Sequence, residues 1–423
     1  MRFPQRVEGA LVLGDVGARD LAAAFGTPLL VVELDVLRSR VDALLAACAP
    51  HGIGAAYAAK ALPLTGVIRR ICERGLDADV CSVGELAAAE RAGLASQRIV
   101  LHGSGKGEAE LRAACEGRAG AIVVDDVHEL RRLAQIAVPA RPVDVLLRMN
   151  TGIEAHTHAF VLTGGDDSKF GIQPRDAAAA RAVLKQAPNL RFAGLHAHVG
   201  SQIADDRAFV ANAEALLDLA AEFAHDGLPV ERLIVGGGFG IAMQPGADDE
   251  EIDVAATMAA IARVVSGGAR ARGLAPPAVS IEPGRTLIGP AGTTLYTVNA
   301  IKRQTTRTFV VVDGGLFENP RPALYGSYHV VAPALREVAD DAYDATICGR
   351  SCENDELGPA RVPSDLAEGE LLAQFTTGAY TYAMASNYNR LARPAVVGVA
   401  GGKTVVLARR ETVEDVLLTD TGL

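Results

Sequence analysis

The sequence predicts an α/β protein: a (β/α)8 TIM barrel joined to a second, all-β domain of the β-sandwich or Greek-key barrel kind. Three observations predict it. From about residue 54, short β-branched or apolar runs alternate with amphipathic Ala/Leu/Arg stretches, the signature of repeated βα units around a parallel sheet. Eight such runs can be counted, the number that closes a barrel. After Glu282 the texture changes to closely spaced strands with hardly a helix between them.

Taken in order, the early run PLLVVEL precedes the first βα unit and is left over from the count, so the N-terminal segment is expected to join the β domain. The barrel strands are GAAYAAK, DADVCS, RIVLHG, AIVVDD, VDVLLRMN, RFAGLHAHVG, RLIVGGG and AVSIEPG. Helical patterns follow them, among them ELAAAERAG, ELRRLAQIA and FVANAEALLDLAAEFAHDG. The second domain reads as TLYTVNAIKRQ, RTFVVVDGG, ATICGRSC, ELLAQFTTG and AVVGVAGGKTVVLARRE. The expected boundaries are 28–285 for the barrel and 286–423, with 1–27, for the β domain.

A chain of 423 residues with 49% hydrophobic content can bury a large core. Its net charge of −10, without a long Lys/Arg block, argues against nucleic acid or an anionic membrane as main partner and favours a small polar substrate. The six cysteines are scattered without zinc-ligand pairing and are expected to be reduced thiols. The opening MRFPQRVEGALVLGDVG lacks the apolar centre of a signal peptide, and no apolar run is long enough to span a membrane, so a cytoplasmic location is expected.

Barrel chemistry belongs at the C-terminal ends of the strands. There stand Lys60 after the first, His198 and Ser201 after the sixth, Gly236, Gly237 and Gly238 after the seventh, and Glu282 with Arg285 after the eighth. A glycine triplet lets backbone N–H groups approach an anion, and loops after the seventh and eighth strands often bind phosphate. The plainer reading is a tight turn that needs positive φ. A lysine on an apolar strand is costly to bury as an ammonium, a cost that covalent imine formation would resolve; the plainer reading is a lysine reaching solvent at a strand end. His156 and His158, two apart with no third ligand in register, make a poor zinc site, and no metal is expected. Asp79 and Glu85 look like supporting and helix-start residues.

Together these pieces resemble the alanine-racemase-like (fold type III) pyridoxal-phosphate enzymes, and within them the diaminopimelate decarboxylase family. The likeness runs nearly the whole chain, through YAAK, DVCSVGEL, GIEAHTHAFVLTGGDDSKFGI, LHAHVGSQI, GGGFGI, IEPGRTLIGPAG, VVDGG, RPALYG, SCEND, TTGAYTYAMASNYNRLARP and RRETVEDVL. The resemblance implies that pyridoxal 5′-phosphate is held by Lys60 as a Schiff base, with His198 stacked on its ring. Ser201, the Gly236–Gly238 loop and Tyr380 would bind the phosphate, and Glu282 would pair with the pyridine nitrogen. Arg285, Arg321, Tyr325 and Tyr380 would meet the amino-acid substrate, while Cys352 and Glu353 would enter the site from the other subunit of a homodimer. Taken singly, Tyr325 and Tyr380 could be packing tyrosines, Cys352 a small hydrophobe and Arg321 an ion-pair partner.

A carboxylate at the ring nitrogen, where racemases of this class carry arginine, keeps that nitrogen protonated and makes the cofactor a strong electron sink. This favours decarboxylation, with Cys352 as proton donor. The implied reaction is meso-2,6-diaminopimelate to L-lysine and carbon dioxide. Departures from the family pattern fall near the substrate: Leu62 stands in place of an Asn, Asn354, Asp355 and Glu356 in place of Ser-Gly-Asp, and Pro320 lies in LFENPRP. They motivate an alternative, a paralogue that decarboxylates another amino acid. A catalytically silent relative is disfavoured by the presence of both Lys60 and Cys352.

Overall fold

The computed structural model describes residues 5–153, 168–243, 251–338 and 340–422. Contacts divide the chain into two compact units, Val41–Ile241 with Glu250–Thr286, and Met1–Arg40 with Ala242–Asp249 and Leu287–Leu423.

The chain opens with a small antiparallel sheet, β1 (Gln5–Val7), β2 (Ala10–Leu13) and β3 (Val16–Gly17), then β4 (Leu29–Glu33). Eight parallel strands follow: β5 (Gly54–Ala58), β6 (Asp77–Val80), β7 (Ile99–Leu101), β8 (Ala121–Val124), β9 (Val143–Arg148), β10 (Leu190–His196), β11 (Arg232–Ile234) and β12 (Ala278–Ile281). Pairing of β12 with β5 closes them into a barrel. All eight counted runs are barrel strands. The lumen is filled by Val100, Ala121, Val123, Leu146, Ala193 and Ile234, all buried. Polar residues start the surrounding helices: Ser82 accepts from the Glu85 N–H, Asp126 from Glu129 and Asp253 from Ala256, each satisfying a donor the helix leaves unpaired. The helix Arg207–His225 buries Phe209, Ala213, Leu216, Leu217, Ala220 and Phe223, the helical period of an amphipathic stripe.

The β unit continues with β13 (Gly292–Arg303), β14 (Thr308–Val312), β15 (Val331–Pro333), β16 (Tyr343–Cys348), β17 (Glu356–Val362), β18 (Leu371–Phe375), β19 (Ala395–Ala400) and β20 (Lys403–Ala408). A single branched sheet runs β17-β16-β14-β13-β4-β19-β20, with β18 on β13 and β15 on β18. Strand β4, left over from the barrel count, lies antiparallel to β13 on one edge and parallel to β19 on the other. The barrel unit accordingly begins at Val41 rather than near residue 28. Leu29, Val31, Leu295, Ala373 and Val397 share one apolar cluster; Tyr296, Val310, Val312, Ile347 and Leu372 belong to a second. Among the described residues no helix is long and apolar enough to cross a membrane.

Candidate active site

Strand β5 runs into a single turn, Ala59–Ala61, in which Ala59, Ala61 and the following Leu62 are buried while Lys60 is exposed. This exposure agrees with the plainer reading of a lysine at a strand end. Its charge is still felt by Asp79, Cys81, Glu85, His102 and His198 around the same strand ends.

Glu282 follows β12 and is buried. His196 Nε2 hydrogen-bonds its Oε2 at 3.1 Å, and His102 Nε2 lies 2.9 Å from its Oε1. The same His102 Nε2 also stands 3.7 Å from Asp79 Oδ1, so one ring nitrogen faces both carboxylates. Burial alone would drive Glu282 toward its neutral form, but His102 and His196 outweigh that and hold its carboxyl well below the usual carboxylate range. Burial depresses His196 to about 4, so it is an uncharged donor at neutral pH. Burial also opposes a charge on His102, yet Asp79 and Glu282 raise its pKa above the ordinary imidazole value. The donor atoms of His102, His196 and Glu282 lie within 4.8 Å of one another. His196 Nε2 is aimed at the carboxylate oxygen in hydrogen-bond geometry, whereas His102 Nε2 meets Oε1 at ion-pair distance without that alignment. Arg148, at the end of β9, stands 3.8 Å from Asp125 and 4.4 Å above the Phe170 ring.

His198 is half-buried, and burial followed by the charges of Lys60 and Arg148 keeps its pKa well below that of a free imidazole. The backbone N–H of Gly237 donates to its Nδ1 at 3.2 Å, as a neutral ring requires. The glycine triplet meets the turn reading of the sequence. Gly236 and Gly238 have φ of +77° and +96°, and a Cβ on Gly237 would sit 1.9 Å from the Glu282 carbonyl oxygen. One on Gly238 would sit 2.0 Å from the Gly200 carbonyl oxygen. Only glycine lets the loops after β10, β11 and β12 close on each other. Ser201, half-buried, is held in this seam, where the Ile203 N–H donates to Gly238 at 2.9 Å and the Gln202 amide bonds the Ile241 backbone. Arg285 is buried at the start of the short helix Arg285–Ile288. Glu85 has the expected helix-start role, accepting from the Cys81 N–H at 2.7 Å. The motif containing His156 and His158 lies outside the described residues.

In the β unit, Arg321 opens the helix Arg321–Tyr325 and is buried. Its guanidinium lies 5.1 Å from the Tyr325 ring centre and 5.9 Å from that of Tyr380. Tyr380 is in the left-handed region, φ +59°. Cys352 and Glu353 are exposed on the loop after β16. The Cys352 N–H donates to Asn389 Oδ1 at 2.8 Å, and the Tyr388 hydroxyl donates to Glu353. The departure at Asp355 has a structural use: this buried carboxylate accepts from the Leu316 N–H and from the Ser351 N–H and hydroxyl, tying two loops together.

Sequence reasoning missed His102, His196 and Arg148. A signal existed for His196, since the two-residue period of LHAHVG puts it on the same face as His198. It also missed Glu318, buried against the Tyr296 hydroxyl at 2.6 Å and pushed up to about 8 by burial.

A parallel barrel whose strand ends gather a lysine, three buried or half-buried histidines, an ionised glutamate and a glycine loop defines a class. Residues 34–289 match the family model described as "Pyridoxal-dependent decarboxylase, pyridoxal binding domain", and the chain belongs to that family, among the diaminopimelate decarboxylases. It is 41% identical to the diaminopimelate decarboxylase of Actinosynnema pretiosum subsp. auranticum, over 97% of this chain and 92% of the relative. To that of Bacillus subtilis it is 40% identical, over 98% of this chain and 96% of the relative. The crystal structure of diaminopimelate decarboxylase from M. jannaschii in co-complex with L-lysine is similar at TM-score 0.90 and 27% identity, covering 99% of this chain and 98% of that one.

Proposed function

We propose that the chain uses pyridoxal 5′-phosphate to decarboxylate meso-2,6-diaminopimelate at its D centre, giving L-lysine and carbon dioxide. The observation that carries this reading is identity near 40%, along almost the whole chain, to diaminopimelate decarboxylases. The donor set fits a phosphorylated pyridine. Glu282 stays ionised despite burial, which suits a protonated ring nitrogen. Lys60 is exposed at the strand end, and the uncharged His198 can lie against an electron-poor ring without adding charge.

When bound, the cofactor takes up the electron pair released as the bond to the departing carboxylate breaks. Lys60 would hold it covalently and Glu282 would keep a proton on the pyridine nitrogen. Ser201, the Gly236–Gly238 backbone and Tyr380 would hold its phosphate. Arg285, Arg321, Tyr325 and Glu353 would bind and orient the two charged ends of the substrate. Cys352 would return the proton to the substrate carbon, supplied within a homodimer by the other subunit. A cytoplasmic location fits this reading.

Two of the altered positions serve the scaffold. Leu62 is buried, and its carbonyl accepts from Tyr57; Asp355 braces the Cys352 loop. The test is carbon dioxide release from meso-diaminopimelate by cofactor-loaded protein, with L-lysine assayed as product. Turnover is expected. Loaded protein that leaves meso-diaminopimelate untouched and decarboxylates another amino acid would overturn the substrate assignment and leave the chemistry standing.

A further inference from the structure

A carboxylate shut among barrel strands loses its hydration and drifts toward neutrality unless something nearby replaces the water. Around Glu282 two imidazoles do this, and they are not equivalent. His196 gives Oε2 a hydrogen bond but, uncharged at neutral pH, supplies no counter-charge. His102 Nε2 stands 2.9 Å from Oε1 and 3.7 Å from Asp79 Oδ1, between the two carboxylates, and its ring meets that of His196 edge-on at 5.1 Å. The surrounding elements contribute Lys60 after β5, Asp79 and Cys81 at the end of β6, Arg148 on β9, His196 and His198 at the end of β10, and Glu282 after β12. Of these, the Asp79 and Glu282 carboxylates favour a proton on His102 and Lys60 opposes it. Burial pushes the Cys81 thiol far up, so it stays neutral.

We propose that His102 is a positioning residue of the site: with its Nε2 set between the Asp79 and Glu282 carboxylates, it fixes Glu282 in place and so governs how tightly the chain holds a protonated pyridine ring. This rests on the reading of Glu282 as the partner of the ring nitrogen. His102 touches neither substrate nor cofactor in this scheme and acts through Glu282 alone.

The probe is pyridoxine 5′-phosphate, which carries the ring and the phosphate but no aldehyde to react with Lys60. Its affinity is measured by titration calorimetry across neutral and alkaline pH for the native chain, His102→Gln, Glu282→Gln and the double variant. In the native chain, affinity is expected to fall as pH rises through the raised pKa of His102, because the counter-charge is lost. His102→Gln should bind roughly tenfold more weakly at neutral pH, the equivalent of one pKa unit, and should lack that part of the alkaline fall. The free probe's own titration is common to all variants, so differences between their pH profiles report the bound state. In the Glu282→Gln background, His102→Gln should change nothing further, since the two residues act as one unit.

Native affinity and native pH dependence in His102→Gln would overturn the inference, as would an equal loss in both backgrounds. Should His102→Gln not fold, Asp79→Asn decides the matter: without this second carboxylate beside its Nε2, His102 titrates lower, so the alkaline fall must begin at lower pH, and an unmoved limb overturns the proposal. A native chain that binds neither this probe nor pyridoxal 5′-phosphate would defeat instead the assignment of the site to this cofactor.

Discussion

Glu282 and Glu318 are both buried glutamates, and their neighbours drive them to opposite charge states. Glu282 has imidazoles against both oxygens; Glu318 has a phenol, the Gly315 N–H and the charges of Asp355 and Asp313, and burial raises it to about 8. A carboxyl raised in the folded chain is ionised in the unfolded chain above about pH 4.3, so the folded state binds one more proton. Glu318 therefore lowers stability progressively as pH climbs from there to about 8, and no further beyond. Glu318→Gln keeps an acceptor for Tyr296 and removes the titration. Its urea-derived stability should be flatter between mildly acidic and neutral pH by up to about 1.4 kcal/mol per pH unit. Identical slopes in the two proteins would refute this. Glu282 has the reverse sign: its contribution is present above the ordinary carboxylate range and is lost in acid as pH falls through its depressed pKa. Lys60, His198 and Glu282 were legible in the sequence because a barrel puts chemistry at strand ends. His102 was not, because its partner belongs to β12 and only barrel closure brings them together.

At the scale of elements, the glycine loop after β11 serves packing before it serves any ligand. An alanine at Gly237 collides with a backbone carbonyl that cannot swing away, so Gly237→Ala should cost about 1–3 kcal/mol in denaturant unfolding and lower cofactor loading with it. Gly273→Ala is the control: φ is +66° but open space surrounds it, leaving only backbone strain of about 1 kcal/mol and normal loading. Equal effects would show that the close approach is not what makes glycine necessary at Gly237. The barrel strands were readable because strands covered on both faces are continuous apolar runs. Strand β17, ELGPARV, carries a glycine and a proline that read as a turn, and β15 is three residues long; both were missed. β19 and β20 read as one run although Gly401 and Gly402, at φ +52° and +71°, fold them into a hairpin.

Across the whole molecule, the proposed homodimer with shared sites makes a further prediction. Lys60→Ala and Cys352→Ala proteins, each inactive alone, should recover up to about a quarter of native activity when unfolded together and refolded, since random pairing makes half the dimers mixed with one intact site each. No recovery would count against a site built from two subunits. The order of the chain carries its own consequence through β4. This apolar strand leaves the ribosome before any barrel strand, yet one edge waits for β13 and the other for β19, which begins only at Ala395. At ~5–20 residues per second, Leu29–Glu33 stays half-finished for tens of seconds. A nascent chain cut short before Ala395 would keep an unpaired apolar edge, the kind of template on which strands of other chains add. Chaperone demand for this protein should therefore be set by its last thirty or so residues, long after the barrel has been made.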